Sequence, residues 1–452
     1  MKSRHVDLTH GPILKFLFRL ALPTIGASFM QMAYNLTDMF WLGRMGEDAV
    51  AAVGAAGFFI WFSNSSLLIT KAGAEIGVSQ SLGRQEPNQA LRYVRHSLFW
   101  AFSLSIFLAV ITIFFAPKLI AFFKIPSDIV TQEGTSYLRI VAFCFPFALV
   151  NSTFAGIYNG MGNSKIPFRY LSVGVILNLI VDPLFIFGIG PISGLGVKGA
   201  AWATVASQTI VWLIFVYRFL IRQEMMKLHL RKFKFDWQIS KRIFKLGIPV
   251  ASESALFSVF AMVLAKITAL FGAVAIAVQS IGSQIESLSW MTSQGFATAL
   301  GSFTGQNYGA RRWDRIRKGY GYTMLIGGIL GLSVSALFLL FGEEIFSIFL
   351  DQPESIYLGG VYLKILAISQ IFMIFEISTR GAFNGIGRTI PPSLTGIIFT
   401  GSRIPLAFWL SSIPTLGLFG VWWSITLSSV VKGIVLPVWL LIIFRGINRV
   451  NK

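Results

Sequence analysis

Acidic residues, histidine and cysteine are scarce in this sequence. The chain has 452 residues, of which 19 are Asp or Glu, four are His and one is Cys, and only 13% are charged. A soluble protein carries about a quarter charged residues. Because Cys144 has no second cysteine to pair with, the fold does not depend on a disulfide or on an oxidising compartment. These shortages exclude an ordinary soluble domain and a disulfide-held secreted domain.

Motifs for nucleotide binding and for catalysis are also absent. No G-x-x-x-x-G-K-[ST] sequence is present, so this chain is not expected to drive transport with ATP. It has neither H-E-x-x-H nor G-x-S-x-G, and its histidines are scattered at positions 5, 10, 96 and 229. We therefore expect no enzyme and no cofactor. The N-terminal MKSRHVDLTHGP has no A-x-A cleavage site and does not read as a signal peptide.

Long apolar runs, in contrast, fill the chain. The sequence is 54% hydrophobic, with a mean hydropathy of +0.69. Its apolar blocks of roughly 20 to 25 residues are long enough to cross about 30 Å of hydrocarbon. We predict an all-α polytopic membrane protein with twelve transmembrane helices, approximately 14–42, 49–80, 94–117, 134–158, 166–190, 196–220, 241–271, 275–303, 318–342, 357–384, 391–413 and 417–444.

The basic residues indicate orientation and surroundings. The net charge is +19 and the pI about 10.2, but most Lys and Arg lie between apolar blocks. No separate basic domain is present, so we expect lipid headgroups and not nucleic acid as the partner. The basic connections follow spans two, six and eight, which the positive-inside rule places in the cytoplasm. Both termini are then expected to be cytoplasmic.

The chain is a tandem repeat. Matching residues recur 226 or 225 positions apart: Pro23 with Pro249, Gln80 with Gln306, Gly83 with Gly309, Tyr137 with Tyr362, and Asn159 with Asn384. Each repeat has six predicted spans, so both should enter the membrane in the same sense and be related by a pseudo-two-fold axis along the membrane normal. We predict an N-lobe (1–220), a cytoplasmic basic linker (221–240) and a C-lobe (241–452), an architecture suited to alternating access.

Three carboxyl groups lie inside predicted spans of the N-lobe, and one of them, Glu75, is explained by a helix-surface pair with Lys71. Asp38 follows Tyr34 by one helical turn, and Asp182 follows Asn178 by four residues. At 1.5 Å per residue, Asp38, Asp182 and Thr204 all lie roughly 8–12 Å below the outer surface. A charge at the bilayer centre costs about 2.5–3.5 kcal/mol, and the N-lobe spans offer no base at this depth.

The acids therefore predict a cation site. Carboxylate, amide and hydroxyl oxygens suit a proton or a hard monovalent cation such as Na⁺, held by Asp38, Asn178, Asp182 and Thr204 beside Tyr34. The counterparts of the two acids in the second repeat are Leu264 and Ile404, so the site belongs to one repeat alone. The alternative is that each acid only pairs with a nearby base or hydroxyl.

Charged residues in the C-lobe spans are more balanced. Glu376 and Arg380 are four residues apart and are expected to pair. Glu253, four residues after Pro249, is the exception that we expect to face a cleft. The balance favours a structural network over a second coupling site; its members are Glu253, Lys266, Glu286, Glu376, Arg380, Arg403 and Lys432.

Pro23 lies in span one, fifteen residues before Asp38. Proline removes a helix hydrogen bond and kinks the helix. A change in this bend would move the acid site, so Pro23 is a candidate hinge. A static kink is the alternative.

Several segments together resemble the multidrug and toxic compound extrusion (MATE) family, most closely its DinF branch. They are ALPT…YNLTDMFWLG, the paired NGMG and NGIG turns, and NLIVDPLFIFG followed by GVKGAAWAT. The resemblance covers essentially the whole chain. It implies a monomeric efflux antiporter of a prokaryotic cell membrane, exchanging amphiphilic, often cationic organic compounds for H⁺ or Na⁺. It also implies that Tyr34, Asp38, Asn178, Asp182 and Thr204 form the coupling site.

The resemblance places substrate between the lobes or within the N-lobe, among aromatic and Met side chains. Candidate cleft residues are Met30, Gln31, Met32, Phe58, Trp61, Glu253 and Met291. Two alternatives stay open: a flippase for lipid-linked glycans, for which Lys266, Arg403 and Lys432 could supply a cationic cleft, and an ion channel. The coupling ion and the substrate are not decided by the sequence.

Overall fold

The computed structural model describes residues 5–123, 125, 127–189, 192–221 and 233–450. These residues form fifteen helices and two short strands. In chain order they are α1 (Ile13–Gly43), α2 (Glu47–Gly83), α3 (Pro87–Ala121), α4 (Asp128–Ala142), α5 (Phe145–Gly160), α6 (Lys165–Phe187), β1 (Gly188–Ile189), β2 (Ile192–Ser193), α7 (Val197–Ile221), α8 (Trp237–Ala269), α9 (Ala273–Gly309), α10 (Trp313–Leu340), α11 (Gly342–Ser347), α12 (Pro353–Gly385), α13 (Ile390–Gly401), α14 (Arg403–Ser411) and α15 (Leu418–Val450).

The helices confirm a polytopic membrane protein. Among the described residues, nine helices are long and apolar enough to cross a membrane, and α4 and α5, bent by 50°, together make a tenth candidate. The break precedes Pro146, which has no backbone N–H to continue a helix. The predicted eighth and eleventh spans correspond to α9, which is rich in polar residues, and to the pair α13–α14. The strands β1 and β2 form a small antiparallel hairpin between α6 and α7.

The repeat is visible in the backbone of the helix connections. Residues with a positive φ angle occur at matching positions in helix connections of the two halves. The matching pairs are Gly46 (φ 120°) and Gly272 (99°), Gln85 (60°) and Arg311 (57°), and Gly162 (77°) and Gly387 (78°). Non-glycine residues rarely adopt positive φ. The recurrence of such a residue at Gln85 and Arg311 therefore shows that both halves fold through the same turn.

The described residues divide into two compact units. Unit 1 contains 5–7 and 22–251, and unit 2 contains 8–21 and 252–450. Two helices each have residues in both units: the division follows Ala21 in α1 and Ala251 in α8. Each division lies two residues from a proline, Pro23 in α1 and Pro249 in α8. The lobe boundaries proposed from the repeat stay a prediction, and most of the predicted linker (222–232) lies outside the described residues.

The first residues of α8 are anchored within unit 1. Asp236 caps the helix, because its Oδ1 accepts a hydrogen bond of 2.8 Å from the backbone N–H of Gln238. Its other carboxylate oxygen pairs with Arg92, and its backbone N–H donates to Nε2 of His96 at 2.8 Å. Arg242, one and a half turns into α8, donates to Oε1 of Gln80 at 3.0 Å. These contacts fix the position of the first half of α8 in unit 1.

Glycines allow close helix contacts at matching places in the two units. A Cβ on Gly156 would lie 2.6 Å from the carbonyl oxygen of Lys71, and one on Gly381 would lie 2.2 Å from that of Ala297. Both distances are far inside van der Waals contact. Small residues of this kind let helices pack closely inside membranes, where no hydrophobic force draws the helices together.

We expect Gly381→Ala to destabilise the protein by about 1–3 kcal/mol, because the added methyl group would force α9 and α12 apart. The measurement is thermal unfolding of the purified protein in detergent. Gly57→Ala is the matched control, since a Cβ at this position in α2 would meet no atom within 4 Å. That control should leave stability unchanged or raise it slightly. Equal melting temperatures for the two variants would contradict the packing argument.

Candidate functional site

The five residues predicted to form a cation site lie together in unit 1. Tyr34 and Asp38 are on α1, Asn178 and Asp182 on α6, and Thr204 on α7. The hydroxyl groups of Tyr34 and Thr204 are 3.1 Å apart and hydrogen-bonded. The amide of Asn178 donates to Oδ1 of Asp182 at 3.1 Å. The carboxyl groups of Asp38 and Asp182 are close enough to interact electrostatically.

Sequence spacing and small residues explain this convergence. Residues four apart share one face of a helix, so each acid brings its polar neighbour with it. Gly174 lets α6 approach the side chain of Val211 on α7, and Gly199 lies against the backbone carbonyl group of Phe185. With a side chain at either glycine, α6 and α7 could not approach as closely. The cluster therefore depends on packing as well as on its polar residues.

Several oxygen atoms of the cluster are buried and lack a partner. Asp182 and Asn178 are 0% and 1% exposed. Among the described residues, no hydrogen-bond partner exists for Oδ1 of Asp38, Oδ2 of Asp182 or Oδ1 of Asn178. Native proteins rarely leave such buried oxygens unsatisfied. Carboxylate and amide oxygens of this kind are the ligands that a proton or a hard cation requires.

No base neutralises the two acids. In the part of the chain that the structure describes, the ion pairs involve other residues, and neither Asp38 nor Asp182 contacts a Lys or Arg within 4.0 Å. Two buried carboxylates without a counter-charge repel one another and each loses solvation. The arrangement therefore favours uptake of a positive ion over two free anions. This geometry excludes a base as the partner of either acid, and of the alternative it leaves only pairing with a nearby hydroxyl group.

Sequence reasoning missed two side chains beside the cluster. Tyr137 on α4 is 5% exposed and interacts electrostatically with Asp38, Asp182 and Tyr34. Cys144, which precedes α5, is buried next to Tyr34. From the sequence, Tyr137 was recognised only as a residue that recurs in the second repeat. Its recurrence as Tyr362 was the one signal that could have singled it out.

The candidate cleft residues are not brought together in the same way. Phe58 and Trp61 on α2 are exposed, and Met30 accepts a hydrogen bond from the Ser172 hydroxyl group. Gln31 is exposed, and its amide donates to Asn35 at 3.3 Å. Met32 is partly buried, while Glu253 and Met291 belong to unit 2. Their role in substrate binding stays a prediction, as does the role of Pro23 as a hinge.

Unit 2 contains part of the charge network predicted from the sequence. Lys266, a predicted member, is exposed and forms no ion pair with the described residues. The pairing of Arg380 with Glu376 is confirmed. Arg380 also lies 3.2 Å from Glu253, and Lys432 lies 3.7 Å from Glu376. Glu253, which we expected to stand apart, is thus a member of the network, because α8 and α12 bring its carboxylate to Arg380. Two acids and two bases balance here, as a structural role requires.

Comparisons with known proteins agree with this architecture. The MatE family model matches residues 23–184 and again 249–409, once in each repeat. The chain is 28% identical to a probable multidrug resistance protein NorM of Thermotoga maritima, covering 91% of this chain and 88% of that protein. It is 23% identical to the multidrug export protein MepA of Staphylococcus aureus, covering 92% of this chain and 91% of that protein.

Solved structures share the fold over nearly the whole chain. An outward-facing multidrug resistance MATE family transporter of the MOP superfamily superimposes with a TM-score of 0.90 at 25% identity, covering 99% of each chain. A MATE crystal structure in the bent conformation gives a TM-score of 0.93 at 24% identity, covering 100% of this chain and 99% of that one. The two family matches span most of the sequence, and the fold agrees throughout. This chain is an integral, multi-pass membrane protein that belongs to the MatE family of transporters.

Proposed function

We propose that this protein is a secondary active multidrug efflux antiporter, which exports amphiphilic, often cationic organic compounds in exchange for H⁺ or Na⁺. The observation that carries the proposal is the pair of carboxyl groups in unit 1: Asp182 is fully buried, Asp38 is partly buried, each has a buried oxygen without a hydrogen-bond partner, and neither contacts a base. The relatives include a probable multidrug resistance protein and a multidrug export protein, and this supports organic drug-like compounds as the substrates.

The acid pair supplies the coupling. When a proton or Na⁺ is bound, the charge of the pair is reduced and α1 and α6 can approach each other. When the ion leaves, two like charges face each other in a poorly solvated place. An ion can shift a conformational equilibrium only by its different affinity for the two states. The cation affinity of the cluster would differ between two conformations, because its ligands lie on three separate helices, α1, α6 and α7.

Helix α1 links the cation site to a conformational change. Asp38 and Pro23 lie on this helix, fifteen residues apart, and its packing changes from unit 2 to unit 1 beside Pro23. Proline weakens the helix at this point, since one backbone hydrogen bond is missing. We propose that cation binding at Asp38 alters the bend at Pro23. Tyr34, which bonds Thr204 on α7, would transmit the same movement.

Substrate contacts are proposed from exposed aromatic side chains and partly buried Met side chains. Phe58 and Trp61 offer flat apolar surfaces, and Met30 and Met32 adapt to ligands of different shape. Aromatic faces also attract organic cations. We further propose that the protein belongs to a DinF-like branch of the family. It would act as a monomer in a prokaryotic cell membrane, with both termini in the cytoplasm.

The flippase alternative receives less support from the charges of unit 2. A substrate with phosphate groups requires cations that are free to bind it. Of the three residues that this alternative invokes, Lys432 is engaged by Glu376 and Arg403 by two serine hydroxyl groups. Only Lys266 is exposed and forms no ion pair with the described residues. The charges of this network are therefore consistent with structural support.

The proposal is tested by dye transport in proteoliposomes with proton and sodium gradients imposed separately. We expect ethidium or rhodamine to move against its gradient when one of the two ions is supplied, and to stop when nigericin or monensin collapses that gradient. Liposomes without protein are the control. Transport that continues unchanged without either gradient would refute ion coupling.

A further inference from the structure

A buried histidine holds the residue that precedes α8. His96, on α3, is 1% exposed, and both of its ring nitrogens are hydrogen-bonded. Nδ1 lies 2.8 Å from the backbone carbonyl oxygen of Arg92, and Nε2 lies 2.8 Å from the backbone nitrogen of Asp236. All three residues belong to unit 1. The bond to Asp236 therefore joins α3 to the residue directly before the first turn of α8.

The two partners determine where the proton of the imidazole ring lies. A carbonyl oxygen only accepts a hydrogen bond and a backbone N–H only donates one, so Nδ1 carries the hydrogen and Nε2 is the acceptor. The bond from Asp236 consequently requires the neutral imidazole. In a protonated ring, Nε2 carries a hydrogen that would point at the N–H group of Asp236. The bond is thus present at high pH and is lost as the pH falls and the ring takes up a proton.

The charged groups around His96 do not compensate for this loss. Within the described residues, those that act on the ring are Arg92, Arg95 and Asp236. The two arginines repel an imidazolium. The carboxylate of Asp236 is already engaged, since Oδ1 accepts the N–H of Gln238 at 2.8 Å and the other oxygen pairs with Arg92. An imidazolium could gain this carboxylate only by displacing the helix cap or the ion pair.

The matching segment before α1 is held in another way. It lies in unit 2, where the backbone N–H of Leu8 donates to Oε1 of Gln306 at 2.9 Å. Arg312 donates to the backbone carbonyl oxygen of Thr9 at 2.8 Å. Amide and guanidinium groups keep their protons at any physiological pH. Arg312 also donates to His10, but this histidine is exposed. The buried titratable acceptor is therefore a feature of the α8 segment.

We propose that the hydrogen bond between Asp236 and His96 is a pH-sensitive latch on α8, closed when the imidazole is neutral and open when it is protonated. Helix α8 belongs to unit 1 as far as Ala251, two residues beyond Pro249. When the latch opens, the first half of the helix loses one of its anchors. The bend at Pro249 is then less restrained, because proline already leaves the helix one hydrogen bond short at this point.

The latch regulates transport and is separate from ion coupling. Leu264 stands in α8 where α1 has Asp38, so the response of α8 to protons comes from a different group. The connections before α3 and before α8 are among the basic ones expected in the cytoplasm. A fall in cytoplasmic pH would then open the latch and slow efflux, since α8 would no longer move with unit 1. The effect on efflux rests on the proposed function, but the structural change at α8 does not.

The test measures hydrogen–deuterium exchange of residues 236–246 in the purified full-length protein. The two conditions are about pH 7.5 and about pH 5.5, on either side of the ordinary histidine pKa of about 6.5. After correction for the intrinsic pH dependence of exchange, the wild type should exchange about 2–10-fold faster at the lower pH, as expected for one lost hydrogen bond. His96→Gln should abolish this response, because its amide oxygen accepts the same bond and does not titrate.

Two further variants show whether the response belongs to His96. Asp236→Asn keeps the backbone N–H and can still cap α8, so it should retain the response. His10→Gln removes an exposed histidine and should also retain it. The latch is refuted if the wild type exchanges equally at both pH values, or if the response persists in His96→Gln. A response that disappears in Asp236→Asn would belong to the carboxylate and would equally overturn the inference.

Dye transport in proteoliposomes distinguishes the latch from the proposed function. The proton and sodium gradients are held constant while the pH on both sides is lowered. Efflux by the wild type should then fall about 2–10-fold further than efflux by His96→Gln. Equal decreases would show that the latch does not regulate transport. If neither protein moves dye at any pH, the proposed function is wrong, and the exchange measurement still decides whether the latch exists.

Discussion

Asp38→Asn is expected to abolish gradient-driven efflux while leaving expression and stability intact. Asparagine has nearly the same shape as aspartate and can keep the contacts of the cluster. It has no negative charge, so it neither binds a proton nor attracts Na⁺. The coupling between ion and substrate should then be lost, and uphill transport should fall to the level of cells or liposomes that lack the protein. Asp182→Asn should act in the same way, because both carboxyl groups face the same site.

The measurement is ethidium efflux from energised cells and from proteoliposomes, compared at equal protein levels. Asp48→Asn is the matched control, since Asp48 is an exposed acid in the first turn of α2. It should transport like the wild type. Normal uphill efflux by Asp38→Asn would show that the coupling ion binds elsewhere in the chain.

Arg380→Met should cause the largest loss of stability among single substitutions in unit 2. Arg380 bonds Glu376 and lies 3.2 Å from Glu253, and both acids are buried. Methionine retains the volume of the side chain but leaves one of the two carboxylates without a partner. Breaking a buried ion pair in this way costs about 3–5 kcal/mol. Thermal unfolding in detergent measures the effect.

A double variant separates charge from packing. Glu253→Gln/Arg380→Met should recover most of the stability, because Glu376 then retains Lys432 at 3.7 Å and no acid is left unpaired. Lys364→Met is the control, since its pair with Glu343 is exposed and contributes at most about 1 kcal/mol. An Arg380→Met variant as stable as the wild type would mean that the network does not support the fold.

The hydrophobic pattern of the sequence predicted the membrane fold, because the properties that make a segment a transmembrane helix lie within that segment. A run of apolar residues long enough to cross the bilayer must form a helix there, since every backbone polar group must be satisfied within the segment. The repeat could be read from matched residues such as Pro23 and Pro249, and the family matches begin at these two positions. The acids at 38 and 182 were conspicuous because a charge inside an apolar run requires an explanation.

Other features depend on contacts between residues that are far apart in the chain. The break between α4 and α5, the hairpin β1–β2 and the division of α1 and α8 between the units follow from packing. Tyr137 interacts with the acids of the cation cluster only because α4 packs against α2 and α7 in the folded unit. Glu253 joined the charge network because α12 brings Arg380, more than 120 residues away in sequence, to its carboxylate.

The sequence by itself determined that this is a helical membrane protein with two repeats, and that its first repeat places the acids Asp38 and Asp182 inside apolar runs. Hydrophobic length and the cost of charge in hydrocarbon act on each segment separately, so they can be read residue by residue. Only the tertiary structure decided which charges are neutralised. Whether Asp182 or Glu253 has a base within reach depends on the packing of helices that no single segment encodes.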